Sequence, residues 1–438
     1  MWEQNHDEDF SKYILYESWS SYMDDSTKIY STDNRSDTTF TVSGINTENN
    51  RYYQLIYEDI WGSQTPTDIK AGVPYAQFFK TFGGENEDVG YSVQQTSEGG
   101  YIIAGYTNSY GSGSYDVLLL KTDSDGNELW MQTFGEGYDD KGYSIETVDD
   151  GYVIAGYTYS FNSNSYDMFL LKTNIGGDIL WTKTYGGTGT DIGYSVRKTF
   201  DPDGFIVAGY TETESTGFDM FLVKTDSDGN QEWTKTYGGT GTDKGYSVQQ
   251  TSDGGFILSG VTTAEFGFDI RVVKTYPNGE EEWNRVFGNT LNDIGFSVDQ
   301  TDGGFVVVGY TEIFGSGDED VLLLNINDDG NSDWERTFGG SGIDHGYTVN
   351  TIDGGFMIIG FTESFGAGNK DVWLIKTFAD GNLDWERTFG GNDIDHGYSV
   401  QQTDDDGFII TGYTKSEDNN VDILLIKDHP LGLNQFDY

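Results

Sequence analysis

The chain has no cysteine, which excludes disulfides, thiolate metal sites and cysteine nucleophiles. Only 5 of its 438 residues are proline. Basic side chains are scarce too, 24 against 73 acidic ones, leaving a formal net charge of −49. A chain this acidic repels phosphate backbones, so nucleic acid is excluded as a partner, and an anionic membrane surface is disfavoured for the same reason. No stretch approaches the roughly 18 apolar residues of a spanning helix, so no membrane insertion is expected. The opening "MWEQNHDEDF" has neither the basic nor the apolar region of a secretory signal. The chain is therefore expected either to stay inside the cell or to be part of a longer precursor. No GxSxG, HExxH or P-loop pattern occurs, the loops are short, and the arginines are scattered, so no enzyme is expected.

What is present is glycine (60 residues) and aromatic side chains (15%), the profile of aromatic strands separated by glycine turns. The triplet Gly-aromatic-Ser/Thr starts at Gly90, Gly142, Gly193, Gly245, Gly295, Gly346 and Gly397, at spacings of 52, 51, 52, 50, 51 and 51 residues. Each copy reads as four short strands: "YSVQQT", "YIIAGYT", "DVLLLKT" and "ELWMQTF" in the first. The middle two are apolar nearly throughout, as expected of sheets covered on both faces. Period and strand count predict an all-β chain whose main part is a seven-bladed β-propeller over residues 73–438. Six copies end in a tryptophan strand; the seventh stops at "VDILLIK". The missing strand is present at the front as "YAQFFKTFGG" (75–84), and is expected to close the last blade and remove an open edge.

The pattern "FGG…DxGYSVQQTxDGGFIIxGYT…DVLLIKTDxDGNxxW" resembles the β-propeller repeats of large secreted bacterial and archaeal proteins, over about residues 75–428. That resemblance implies an extracellular or cell-surface module with a binding role, and no reaction. Residues 1–72 lie outside the repeat. "KYILYES", "TKIYST", "TTFTVSGI" (38–45) and "RYYQLIYEDIWG" (51–62) resemble the later strands of a fibronectin type III domain, here an incomplete β-sandwich lacking its first strand. An incomplete sandwich implies a tail trimmed from a longer surface protein or a strand supplied by a neighbouring subunit; the remaining reading is a segment that folds differently and packs on the propeller. The function expected is binding or adhesion towards a protein or glycan through one propeller face; the alternative is a filament subunit that self-associates by strand addition.

Two kinds of position are site candidates. Asp88, Asp140, Asp191, Asp243, Asp293, Asp344 and Asp395 each stand two residues before the repeat glycine, and a circle of carboxylates is a candidate calcium site. The alternative is that each caps its own turn, with no cofactor required. A second sevenfold set, Asp116, Asp167, Asp219, Asp269, Asp320, Asp371 and Asp422, invites the same two readings. In the loop joining the second and third strands the repeats differ. Four carry an aromatic, Tyr110, Phe161, Phe314 and Phe365, and three carry Glu214, Glu265 and Glu417, a mixture suited to gripping a glycan or peptide, the alternative being that the rings only pack between blades. His345 and His396, each following an Asp, are expected to be surface histidines rather than metal ligands. "KTDSDGNELW" (121–130) is no EF-hand, because the glycine is fourth from Asp123 instead of sixth. It reads as the last hairpin of its repeat.

Overall fold

The computed structural model describes residues 78–428 except 161–164, 201–202, 214–216, 289–290, 313–317 and 416–419. Ahead of these it describes the backbone of five strands: β1 (Phe10–Ser18), β2 (Thr27–Thr32), β3 (Arg51–Asp59), β4 (Gln64–Pro66) and β5 (Lys70–Gly72). The described residues divide into two units. One lies within Met1–Phe78, Asp404–Phe408 and Lys427–Tyr438, the other within Phe79–Thr403 and Ile409–Ile426.

In the front unit the order is β2-β1-β3-β4, with β5 also on β3, all antiparallel. Among the described residues the front strands form one five-stranded sheet, and a second sheet of the expected incomplete sandwich is not shown. Residues 38–45, expected as a strand, lie outside the described residues.

The repeats are meanders of four antiparallel strands, in the first Asp88–Gln95, Tyr101–Thr107, Asp116–Thr122 and Glu128–Phe134. The second and third strands are buried along their whole length, and the fourth is largely exposed. The core lies between neighbouring sheets: Ile102, Ala104, Val117 and Leu119 pack on Ile145, Ile154, Phe169 and Leu171 of the next repeat. At about 1.5–3 kcal/mol per buried aliphatic or aromatic side chain, these layers are the main favourable contribution to the fold. The strand β6 (Phe78–Phe82) lies beside Val421–Asp428 as the fourth strand of the last repeat.

One expectation about this region is overturned. The predicted seven-bladed propeller required seven separate sheets, whereas the 28 strands from β6 onward form six. Five have four strands, and the third and fourth repeats share one of eight. The reason is local. The third repeat's strand Gly217–Asp226 begins alongside the fourth repeat's Gly241–Gln250, with Gly217 opposite Gly241 and Phe218 opposite Thr242 in parallel register. Gly217, at φ 94°, allows this approach: a Cβ there would lie 2.4 Å from the Gly241 carbonyl oxygen. At three other junctions the corresponding contact is a single bridge, such as Glu319 to Ile343.

The "DSDG" hairpins owe their form to their first acid. Asp123 Oδ1 accepts the Asp125 and Asn127 N–H groups at 3.0 and 2.8 Å, and Asp226 repeats the arrangement. The Asn127 and Asn230 side chains donate to the other carboxylate oxygen, and these bonds, followed by the backbone ones, hold both carboxyls below the usual range.

Candidate central-cavity site

Each first strand carries a buried aspartate within its first three residues, and six of them show a β-bulge at the aromatic residue, where the register shifts between Gly90 and Ser92 and at five equivalent places. At the same position in each repeat an aromatic ring lines the cavity, and a bulge of this kind re-aims a side chain. Tyr91, Tyr143, Tyr194, Tyr246, Phe296, Tyr347 and Tyr398 contact one another in sequence, and Tyr398 returns to Tyr91, at centroid separations of 4.6–5.5 Å. This closed circuit makes the repeat region a β-propeller ring.

Next along each strand, a hydroxyl covers an otherwise open inner edge. Ser92 Oγ accepts the Ile145 N–H, Ser144 the Val196 N–H and Ser195 the Val248 N–H, at 3.1–3.3 Å. Ser247, Ser297 and Ser399 do the same for Val298, Val349 and Val93. The inner edge N–H groups would otherwise point unpaired into the channel. Two residues further on comes a second rung, made of Gln94, Glu146, Arg197, Gln249, Asp299, Asn350 and Gln401. Gln94 accepts the Thr147 N–H at 2.8 Å, Gln249 that of Gln300 at 2.8 Å, Asp299 that of Thr351 at 2.6 Å and Gln401 that of Gln95 at 2.5 Å. Asn350 instead donates to the Val400 carbonyl.

Together the aromatic circuit, the hydroxyl rung and five of the seven second-rung residues line a cavity of about 650 Å³. The rings stand at the aspartate end of the strands, and Gln94, Glu146, Arg197, Asn350 and Gln401 stand toward the hairpins that follow. Glu146 is half-buried; desolvation pushes its carboxyl up, and the nearby Arg197 charge partly offsets this. This column was not singled out from sequence. Comparing the seven repeats position by position exposes it, because it holds the one arginine.

The aspartates expected to circle the channel do not line this cavity. They are buried at the repeat junctions, between 0 and 2% exposed. Asp88, Asp140, Asp191, Asp243, Asp344 and Asp395 each accept the N–H of the residue four places earlier, at 2.8–3.3 Å. The second set approaches the first across the intervening glycine. A Cβ on Gly135 would lie 2.0 Å from Asp116 Oδ1 and 2.8 Å from Asp140 Oδ2. Burial and then the neighbouring carboxylate raise the Asp269 and Asp422 carboxyls. Asp116 is raised as well, burial outweighing the bond from Ser112. Among the described residues, no group of three or more acidic or histidine side chains comes together as a metal site.

The loop candidates are separate from the cavity. Tyr110 and Phe365 are about two-fifths exposed. The Tyr110 hydroxyl donates to the Gly83 carbonyl at 2.7 Å, and the Phe365 ring lies 5.4 Å from Trp373. Glu265 is exposed; Phe161, Glu214, Phe314 and Glu417 lie outside the described residues. The histidines expected at the surface are largely buried: His345 stacks on Tyr310 at 4.0 Å and His396 on Tyr413 at 4.7 Å.

No protein-family model matches the chain, and no curated protein is significantly similar to it. Solved structures are similar to it at low identity. Sqt1 of Chaetomium thermophilum is 9% identical with a TM-score of 0.44, over 77% of this chain and 95% of that one. A putative 6-phosphogluconolactonase of Bacteroides fragilis is 11% identical with a TM-score of 0.43, over 89% and 98%. The endosialidase of phage phi92 is 10% identical with a TM-score of 0.46, over 87% and 74%. Likenesses at this level carry nothing about ligand or reaction.

Proposed function

We propose that this chain is a non-catalytic binding module, extracellular or at the cell surface, that takes part of a glycan or protein into its central cavity. One observation carries the reading. Around the ring the aromatic and hydroxyl positions are nearly uniform, while the second-rung residues that line the cavity, Gln94, Glu146, Arg197, Asn350 and Gln401, vary in size, charge and donor character. Positions that build a repeated fold need the same residue each time; a ligand that meets the ring once needs them to differ. Glycan and peptide arrays probed with the wild type and with Arg197→Trp, which removes the cation and places a bulky ring in the cavity, test it. Ligands retained by the wild type and lost by Arg197→Trp are expected. Hits that survive Arg197→Trp place binding elsewhere, for example at the Tyr110 and Phe365 loops.

A further inference from the structure

We propose that the cavity accepts an acidic sugar residue, a uronic acid, with Arg197 taking its carboxylate; this rests on the cavity being the binding site. In the second rung every residue except Arg197 carries a side-chain oxygen, and Gln94, Gln249, Asp299 and Gln401 use it to accept a backbone N–H of the following strand. A guanidinium has no acceptor, so Arg197 cannot make that bond. The repeat has given up one rung of its inner seam and placed a cation there, in a chain with only 24 basic residues.

Arg197 is not consumed by the protein. Its Nη1 donates to the adjacent Val196 carbonyl at 2.9 Å, and it forms no ion pair among the described residues. A simpler role would be to balance Glu146, whose burial its charge offsets. That carboxylate, however, is already engaged by the Lys198 backbone N–H and by Gln94 Nε2 at 3.4 Å. Arg197 therefore retains donors that face the cavity, and its planar fork matches a carboxylate bidentately. The strongly negative field of the molecule disfavours anions in general, so an anion bound here needs this local partner.

The remaining lining indicates a sugar. A half-buried aromatic circuit forms the floor, and Gln94, Asn350 and Gln401 place amides around it. Aromatic rings pack on the apolar C–H face of a pyranose, amides bracket its hydroxyls, and the guanidinium selects the acid.

Calorimetric titration of the full chain with trigalacturonate, and with neutral trigalactose, tests the assignment. The wild type is expected to bind the acidic trimer more tightly. Arg197→Gln, which supplies the side-chain oxygen found at the other six positions, should weaken it about tenfold or more, the scale of one charged hydrogen-bond pair. Trigalactose affinity should not change, and Glu146→Gln should tighten trigalacturonate. Arg197→Lys, which keeps the charge without the fork, should fall between and serves if Arg197→Gln folds poorly. Equal trigalacturonate affinity in wild type and Arg197→Gln overturns the proposal, as does preference for the neutral trimer. No heat with trigalacturonate, or Arg197-dependent capture of a peptide carboxyl terminus alone, overturns the sugar assignment. Either of those last results leaves the cavity reading to the Arg197→Trp comparison.

Discussion

The two ends of the inner strands are built on opposite plans. At one end the aspartates are the same in all seven repeats, buried, and bonded to their own turns. At the other end, six residues along, the second rung holds five residue types, and five of its seven members line the cavity. The uniform end is where the fold repeats its own requirement; the varied end is where the chain can afford a difference. The contrast separates positions governed by stability from positions free to serve a ligand.

The largest effect should come from the uniform end. Gly156 pairs with Gly142 beside the bulge, and a Cβ there would lie 1.8 Å from the Lys141 carbonyl oxygen. Gly156→Ala is expected to cost about 3–5 kcal/mol in chemical denaturation, because backbone rather than a mobile side chain must move. A loss below about 1 kcal/mol would mean the ladder yields easily there.

Next is His396, buried among Phe361 and Tyr413 and held down to about 3 by desolvation, with the charges of Lys370 and His345 adding to it. Its folded value lies below the unfolded value near 6.5, so the unfolded chain gains the proton first. The stability that neutral His396 contributes is present above about pH 6.5 and is lost as pH falls toward 3. His396→Phe should flatten this acid slope in thermal melts between pH 7 and about 4.5; an unchanged difference between the two proteins would show that the imidazole is hydrated.

Asp140→Ala leaves the Glu136 N–H and the Thr158 hydroxyl without their acceptor, at a cost of about 1–3 kcal/mol. If calcium addition stabilised the wild type but not this variant, the junction aspartates would be ion ligands as well as caps.

The smallest changes sharpen the comparison most. Gln94→Arg copies the third repeat into the first and removes the acceptor for Thr147, at about 1 kcal/mol. Arg197→Gln makes the reverse exchange and should leave the melting midpoint unchanged or slightly raised. Equal destabilisation by both would mean that Arg197 is a structural element of its own repeat.

Much of this was legible in the chain. The glycine triplets located the seven repeats, the apolar runs marked the two buried strands, and the unmatched tryptophan strand pointed to β6 beside the last repeat. Glycine-rich hairpins and fully apolar strands encode local geometry, which one strand or turn settles alone. Two properties were not legible. The sheet count depends on how closely Gly217 approaches Gly241, and an allowed φ says nothing about which backbone lies opposite. The cavity depends on residues about fifty positions apart meeting around one axis, so Arg197 gains meaning only beside Glu146 and Gln94. Sequence by itself determined the repeating strands and turns, because their periodicity is local. Which side chains face one another across the ring, and hence where a ligand could sit, was decided only when the inner strands closed on themselves.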